Sequence, residues 1–81
     1  INKKYNTNLL VYANENKNVL IDIISKTSSS DIVVQSINTI NSSGSFMFDI
    51  MVLVPNKEKL LKFINDLEML ENITKVERLI K

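Results

Sequence analysis

The spacing of apolar and polar positions predicts six elements in the order strand, helix, strand, strand, helix, strand. The predicted strands are residues 5–13, 31–42, 46–54 and 73–81, and the predicted helices begin at Val19 and Lys57 and run to about residues 27 and 70. Strands are indicated by alternation and helices by apolar residues three or four positions apart. In the first and third strands, the odd-numbered and the even-numbered positions are both largely apolar, so both faces of each strand are apolar. This is typical of central strands of a sheet.

Each predicted helix has an apolar stripe and a candidate cap. The stripes are Val19, Leu20, Ile23, Ile24 and Thr27 in the first helix, and Leu60, Phe63, Ile64, Leu67 and Leu70 in the second. Asn16 or Asn18 is expected to cap the first helix and Asn56 the second, because asparagine is a favoured N-cap. The serine run 28–30 is expected to end the first helix, since serine side chains compete for backbone hydrogen bonds.

The element order predicts an α+β fold of the ferredoxin-like βαββαβ type. The turn at 42–45 contains the only glycine of the chain and predicts a hairpin between the second and third strands. The polar residues of the second and fourth strands suit sheet edges, which gives a four-stranded antiparallel sheet of order 4-1-3-2. Right-handed crossovers then place both helices on one face of the sheet.

Phe46 and Phe48 raise the question of an RNA-binding platform on the third strand. RNA-recognition sheets stack bases on aromatic rings of this strand, next to basic residues. Here every second residue from Phe46 and Phe48 to Val54 is apolar. The net charge of +1 comes from ten basic residues mixed with nine acidic ones. No basic stripe neutralises several phosphates. The rings are therefore predicted to be core, and an RNA-binding sheet stays the minor alternative.

The alternate positions of the third strand, on the face opposite Phe46 and Phe48, predict a second apolar surface. It comprises Met47, Asp49, Met51 and Leu53, beside Leu10 and Tyr12 of the first strand. A sheet face this apolar is expected to be covered. A second copy of the chain, another part of a larger parent protein, or edge-to-edge joining of two sheets are the alternatives. Ile21, Leu61 and Met69 lie off their helical stripes and are further candidate contacts.

Composition argues against stand-alone catalysis. The 81 residues include no cysteine and no histidine, so the commonest nucleophile, neutral-pH base and zinc ligands are missing. We predict no catalytic residue, no metal site and no cofactor; the scattered Asp22, Asp49 and Asp66 follow no ligand spacing. No apolar run reaches the about 18 residues of a membrane span and no targeting leader opens the chain, so the expectation is a cytoplasmic protein without a membrane partner.

One small domain is expected from this length. Residues 1–4 are interpreted as a linker and residues 5–81 as the domain. Because the chain begins at Ile1, it is expected to be a segment of a larger protein.

The connector between the first strand and first helix is the candidate binding site. N–H groups at a helix start hold a carboxylate or phosphate, Glu15 can meet an ammonium group, and the amides of Asn14, Asn16 and Asn18 offer donors and acceptors. An α-amino acid carries both charges. The candidate ligand-binding residues are Glu15, Asn16, Lys17, Asn18, Val19 and Leu20. The alternative is that the asparagines only cap the helix and lie in a solvated loop.

Taken together, the segments YNTNLLVYANENKNVLIDI, DIVVQSINTI and ITKVERLIK resemble an ACT domain over residues 5–80, in particular the C-terminal one of RelA/SpoT-type GTP pyrophosphokinases. The family pattern Asp-Arg-x-Gly-Leu-Leu-x-Asp-Ile aligns with residues 15–23. Positions that match are Val19, Leu20, Asp22 and Ile23, followed by Val76 and Arg78 at the end. Glu15, Asn16 and Asn18 stand where the family has aspartate, arginine and glycine.

The resemblance implies a non-catalytic regulatory domain that forms a homodimer through strands and helices. It also implies a small amino-acid ligand at the first strand-to-helix loop, beside the paired subunit. For a RelA/SpoT-type parent it implies sensing of amino-acid starvation, through that ligand or through ribosome and tRNA contacts, and a bias of (p)ppGpp synthesis against hydrolysis. The alternative is an amino-acid-binding ACT module of a biosynthetic enzyme such as a dehydrogenase.

Overall fold

A computed structural model describes residues 4–42 and 44–79 and confirms the predicted element order. The elements are β1 (Tyr5–Asn14), α1 (Val19–Ser29), β2 (Val33–Ser42), β3 (Ser45–Val54), α2 (Lys57–Glu68) and β4 (Ile73–Leu79). Residues 1–3 of the predicted linker and residues 80 and 81 of the predicted last strand lie outside the described residues. Lys4 precedes β1 without regular secondary structure and is exposed.

The four strands form one antiparallel sheet of order β2-β3-β1-β4, which is the predicted 4-1-3-2 order read from the opposite edge. In the register of the central pair, Leu9 lies opposite Ile50 and Val11 opposite Phe48. The edge strands each contain an irregularity, between Val34 and Ser36 in β2 and opposite the Tyr12–Ala13 step in β4. Strands that are apolar on both faces therefore occupy the centre of the sheet, as their sequence predicts.

The core lies between one face of the sheet and both helices. Its buried members include Leu9, Val11 and Ala13 of β1, Phe48, Ile50, Val52 and Val54 of β3, Val19 and Ile23 of α1, and Leu60, Phe63 and Leu67 of α2. All the β1 and β3 members belong to the same parity, so both helices cover the same face of the sheet. Burying this parity is the main favourable term for a chain of this size.

The helix ends differ slightly from the sequence prediction. Ser28 and Ser29 belong to the last turn of α1, where their hydroxyls donate to the carbonyl oxygens of Ile24 and Lys26 at 3.4 and 3.1 Å. Ser30, with a ψ of 164°, is the first extended residue. The serine run therefore ends the helix after two of its residues have joined it, because their hydroxyls bond within the turn instead of breaking it.

The second helix begins as predicted and ends early. The side chain of Asn56 accepts a hydrogen bond of 2.8 Å from the backbone N–H of Lys59, which confirms it as the N-cap. The helix ends at Glu68, and Met69 is its C-cap. Leu70 lies in the following turn, partly buried against the core, so it continues the apolar stripe without continuing the helix.

Phe46 and Phe48 lie on the helix-facing side of β3, as predicted. Phe48 is buried, Phe46 is partly buried against the core, and their rings meet edge to face with centroids 6.0 Å apart. The side of the sheet opposite the helices, here called the open face, contains the other parity. Tyr12 lies opposite Met47 there and Leu10 opposite Asp49, and all four are half-buried.

Candidate functional site

The β1–α1 connector lies at one end of the sheet, next to two other connections. The backbone N–H of Asn14 donates to the carbonyl oxygen of Asn72 at 2.8 Å, and that of Glu15 donates to the carbonyl oxygen of Gly44 at 3.4 Å. These two bonds tie the connector to the α2–β4 connection and to the tip of the β2–β3 hairpin. The start of the connector is therefore held by backbone hydrogen bonds to the connections on either side of it.

Asn16 organises the connector through its side chain. Its Oδ1 accepts a hydrogen bond of 2.8 Å from the backbone N–H of Asn18, and its carbonyl oxygen accepts from the N–H of Val19 at 3.2 Å. Asn18 occupies the N-cap position of α1, but its side chain makes no capping hydrogen bond. Of the two predicted caps, Asn16 is thus the one whose side chain holds the turn before the helix.

The candidate residues differ in their access to solvent. Glu15, Lys17 and Asn18 are exposed, Leu20 is 36% exposed and Asn16 is half-buried. Val19 is buried in the core, so it anchors the start of α1 and is not available to a ligand. The other five present one carboxylate, one ammonium group, two amides and one apolar side chain to the same connector and first turn.

Asn18 takes the place of the family glycine without backbone strain. Its φ of −94° lies in a region open to any residue. The consequence of the substitution is therefore steric and chemical: a polar side chain stands where glycine leaves the backbone bare. A ligand at this position meets an amide group that can donate and accept.

The helix start supplies the remaining polar groups. First-turn N–H groups of an α-helix have no partner within the helix, and they carry a partial positive charge. In α1 these include the N–H groups of Leu20 and Ile21, five and six residues after Glu15 in the chain. The connector can therefore attract a carboxylate at the helix start and an ammonium group at Glu15.

A pocket of 420 Å³ lies beside the connector and was not predicted from the sequence. It is lined by Tyr12, Ala13, Asn14, Ile40, Ser45, Phe46, Met47 and Thr74. Asn14 is the residue that it shares with the predicted connector segment. Its lining residues come from all four strands, so only the register of the sheet brings them together. The sequence indicated only that Tyr12 and Met47 lie on the same face of the sheet.

A small charged cluster borders this pocket on β4. The Lys75 ammonium lies 3.3 Å from a Glu77 carboxylate oxygen and 5.8 Å from the centroid of the Tyr12 ring. Hydrogen bonding with Glu77 raises the pKa of Tyr12 above its ordinary 10.0. The same interaction, followed by those with Lys75, lowers the pKa of Glu77 below 4.5. At neutral pH the phenol is thus protonated and the carboxylate charged.

Two further observations concern other site classes. Within residues 4–42 and 44–79, no three acidic side chains come together as a group that could hold a metal ion. The described helices, α1 and α2, are also too short and too polar to cross a membrane.

The element order and the sheet topology define the fold class: the chain is a ferredoxin-like βαββαβ module. Residues 1–78 match the family model of the ACT domain. The chain belongs to the ACT domain family, whose members are regulatory modules and not catalytic ones.

Several solved structures are similar to this chain. The ACT domain from GTP pyrophosphokinase of Chlorobium tepidum superposes with a TM-score of 0.83 at 21% identity, over 95% of this chain and all of that one. A homoserine dehydrogenase from Thiobacillus denitrificans gives 0.79 at 18% identity, over 95% of this chain and 17% of that one. The C-terminal domain of the MgtC protein from Mycobacterium tuberculosis gives 0.76 at 18%, over 96% and 87%. No curated protein matches the sequence. These likenesses show the fold.

Proposed function

We propose that this chain is the regulatory ACT domain of a RelA/SpoT-type GTP pyrophosphokinase of the cytoplasm. In this role it senses amino-acid starvation and biases (p)ppGpp synthesis against hydrolysis. The observation that carries the proposal is the β1–α1 connector, which presents Glu15, two asparagine amides and a helix start at the position that the family pattern assigns to ligand binding. The likeness to the ACT domain of the Chlorobium enzyme over its whole length supports this parent.

The proposed ligand is a small amino acid. Its ammonium group pairs with Glu15, its carboxylate meets the first-turn N–H groups of α1, and Asn16 and Asn18 supply amide contacts. Lys17 adds a positive charge on the exposed side, and Leu20 is the apolar contact for the side chain of the ligand. Because Asn18 fills space that glycine leaves open, the ligand lies farther from the backbone than in the family pattern.

The proposed homodimer pairs through β2 and α1. β2 is an edge strand that bonds β3 on one side, so its other side offers backbone N–H and C=O groups to a second strand. Ile21 and Ile24 of α1 are 63% and 43% exposed. Exposure of an isoleucine side chain to water is unfavourable, so burial against a second copy would stabilise the pair. A second copy that continues the sheet at β2 also brings its own α1 close to these side chains.

A biosynthetic enzyme is the second candidate parent. The ACT-like part of the homoserine dehydrogenase covers only 17% of that chain and still matches 95% of this one. A module of this fold thus also occurs attached to an amino-acid enzyme. In that case the same connector binds the amino acid, and the response is a change in the rate of the attached enzyme.

Contact with the ribosome or tRNA is the other proposed input to a RelA/SpoT-type parent. The domain itself has a net charge of only +1, which gives little attraction to phosphates. We therefore propose that such contact is made by the parent protein, with this domain contributing shape and not charge.

The test is an NMR titration of the 81-residue chain with leucine, isoleucine, valine and serine in turn. The expected result is a saturable change in the amide signals of residues 15–20 for one of them. Glu15→Gln should weaken that binding at least ten-fold, while Glu58→Gln, an exposed acidic residue in the first turn of α2, should not. No change at residues 15–20 with any of the four amino acids would remove the sensing proposal.

The parent is tested separately. In the intact protein that contains this domain, we expect pyrophosphate transfer from ATP to GTP or GDP, and Glu15→Gln should change the ratio of synthesis to hydrolysis. An intact protein without either activity contradicts the RelA/SpoT-type assignment and favours the biosynthetic parent. If residues 15–20 respond to transfer or ribosomal RNA instead of amino acids, RNA contact replaces ligand sensing as the input.

A further inference from the structure

The pocket beside the connector lies on the open face and is separate from the candidate ligand-binding residues. All of its described lining residues lie outside residues 15–20. Its volume of 420 Å³ falls within the range of about 300–1,000 Å³ that is usual for small-molecule sites. Pairing at the β2 edge, as in the proposed homodimer, continues the sheet and leaves this face accessible. A ligand can therefore bind here independently of the connector.

The middle of the pocket is apolar and suits a flat ring. Tyr12 and Met47 lie opposite each other in the register of β1 and β3, and Ile40 lies opposite Met47 on β2. Ile40 is 47% exposed and the other two are half-buried, so each has surface left for a ligand. An aromatic ring on this row gains contacts with the Tyr12 ring and the Met47 sulfur that a saturated ring of the same size lacks.

The polar groups of the pocket are neutral and lie at its hairpin end. Asn14 and Ser45 are partners in the register, and both are exposed. The Thr74 hydroxyl donates to the carbonyl oxygen of Tyr12 at 3.1 Å, so toward a ligand it is an acceptor. Among the described residues, no charged side chain lines the pocket. The enclosed part of a ligand is therefore uncharged, because an unpaired charge is costly to bury.

One positive charge lies at the rim of the pocket. Lys75 is opposite Tyr12 on β4, and its ammonium is 5.8 Å from the centroid of the Tyr12 ring. A Glu77 carboxylate oxygen lies 3.3 Å from this ammonium and occupies one of its three N–H donors. The Lys75 side chain is 64% exposed, so the remaining donors can meet a negatively charged group at the edge of the pocket.

Two carboxylates in the neighbouring row limit the charge of the ligand. Asp49 and Glu77 both lie opposite Leu10, one row beyond Tyr12 on the open face. A carboxylate that approaches Lys75 from the pocket side is nearer to the ammonium than to either of them. A second negative charge above the row of Leu10 would be repelled by both. One negative charge at the rim is therefore favoured over two.

We propose that the pocket binds a small aromatic monocarboxylate, with its ring on Ile40, Met47 and Tyr12 and its carboxylate between the Lys75 ammonium and the Asn14 amide. Asn14 lies two residues after Tyr12 on β1, on the same face of the sheet, so both donors are on the β1–β4 side of the pocket. The ring lies toward β2 and β3. The site goes beyond the proposed function, since it uses none of residues 15–20.

The experiment follows the three methionine methyl groups by NMR, in a chain with carbon-13 at these methyls and with hydrocinnamate as the probe. Met47 lines the pocket. Met51 lies four residues further along β3, at about 13 Å, and Met69 is 76% exposed beside the end of α2. The expected result is a saturable shift of the Met47 methyl with a Kd of about 1 mM or below. The other two methyls and the amides of residues 15–20 should not respond.

Two analogues separate the ring from the charge. Hydrocinnamamide keeps the aromatic ring and replaces the carboxylate by a neutral amide. Cyclohexylpropionate keeps the carboxylate and replaces the aromatic ring by a saturated one. Each should bind about two-fold more weakly than hydrocinnamate, or weaker still. An analogue that binds as tightly as hydrocinnamate overturns the proposed class of ligand.

Matched variants locate the two contacts. Lys75→Gln should weaken the binding of hydrocinnamate about two- to five-fold and leave that of hydrocinnamamide unchanged. Lys59→Gln, in the first turn of α2 on the other side of the sheet, should change neither. Ile40→Ala should weaken both compounds about three-fold. Val33→Ala is its control, since Val33 is 46% exposed on the same strand and lies outside the pocket.

Absence of a saturable shift at the Met47 methyl would overturn the proposal. Equal shifts of all three methyls would show nonspecific contact, which also overturns it. A response of residues 15–20 in place of Met47 would assign the acid to the connector, with the same consequence. If Lys75→Gln weakens the acid and the amide equally, Lys75 does not hold the carboxylate. Sensing at the connector is read at residues 15–20 and this pocket at Met47, so either can fail while the other holds.

Discussion

Asn8 on β1 and Asp49 on β3 are joined by a side-chain hydrogen bond of 3.2 Å across the centre of the open face. The two residues are not direct partners in the register: Asn8 lies opposite Met51, and Asp49 lies opposite Leu10. The bond is therefore diagonal, and it links the two central strands on the side away from the helices. Both side chains are partly buried, so the bond is shielded from water in part.

We expect the two residues to be energetically coupled. In a double-mutant cycle of Asn8→Ala and Asp49→Ala, the coupling should be about 0.5–1.5 kcal/mol in the free energy of unfolding. Asn6→Ala with Asp49→Ala is the control, since Asn6 lies opposite Leu53, farther along the strands, and should be additive. Urea unfolding at one fixed chain concentration measures both cycles. A cycle of Asn8 and Asp49 that is as additive as the control would contradict the bond.

The two helix caps should differ in their contribution to stability. Asn56→Ala removes the side-chain acceptor of the Lys59 N–H and should cost about 1 kcal/mol. Asn18→Ala, at the equivalent position of α1, removes no capping bond and should change stability by less than about 0.5 kcal/mol. Urea denaturation of both variants measures the difference. Equal losses would show that Asn18 also caps its helix.

Gly44 is the position at which the hairpin depends on glycine. Its φ of 73° is unfavourable for residues with a side chain, yet a Cβ atom there meets nothing within 4 Å. The cost of Gly44→Ala is therefore backbone strain alone, about 1 kcal/mol. Gly44→Asn should cost less, because asparagine tolerates this conformation better. If thermal unfolding places both variants level with the natural chain, the hairpin turn does not need a positive φ.

Tyr12 and Glu77 should titrate as a linked pair. In a Tyr5→Phe background Tyr12 is the only tyrosine, so the tyrosinate absorbance in the near ultraviolet reports it alone. Its midpoint should lie above pH 10.0, because hydrogen bonding with Glu77 favours the protonated phenol. Glu77→Gln should lower the midpoint toward 10.0. Glu58→Gln, an exposed acidic residue in the first turn of α2 on the other side of the sheet, serves as the control and should leave it unchanged.

The sign of the effect on stability follows from the two directions. Tyr12 binds its proton more tightly in the folded state, so its contribution is complete below pH 10.0 and is lost as the pH rises through its raised pKa. Glu77 has a lowered pKa, so its contribution is present above pH 4.5 and is lost as the pH falls through the lowered value. The stability difference between the natural chain and Glu77→Gln should therefore shrink at both extremes. A difference that is constant from acid to alkali would contradict the pairing.

The sheet order and the helix-facing parity of β3 were predictable because they depend on local periodicity. An uninterrupted apolar parity from Phe46 to Val54 has one stable placement, under helices, and the structure confirms it. Leu20 and Ile24 show the limit of this reasoning. They belong to the predicted stripe of α1 but are 36% and 43% exposed, because α1 meets the core along a narrower face than its apolar residues cover.

Part of the candidate site was predictable from the sequence and part was not. Residues 15–20 were predicted from a strand, a polar turn and a helix start that follow one another in sequence, and their part in ligand binding stays a prediction. The pocket beside Tyr12 was not predicted, since Ile40, Ser45 and Thr74 reach it from separate strands. A residue pattern does not show which residues of neighbouring strands lie side by side unless the register is known.

By itself the sequence determined the elements, their order in the sheet and the face that is buried, because each of these follows from where apolar side chains recur along the chain. Only the tertiary structure decided the register, and with it the Asn8–Asp49 bond and the pocket. Contacts between strands depend on which residues stand side by side, and a shift of a single position would exchange the buried and open faces of a strand.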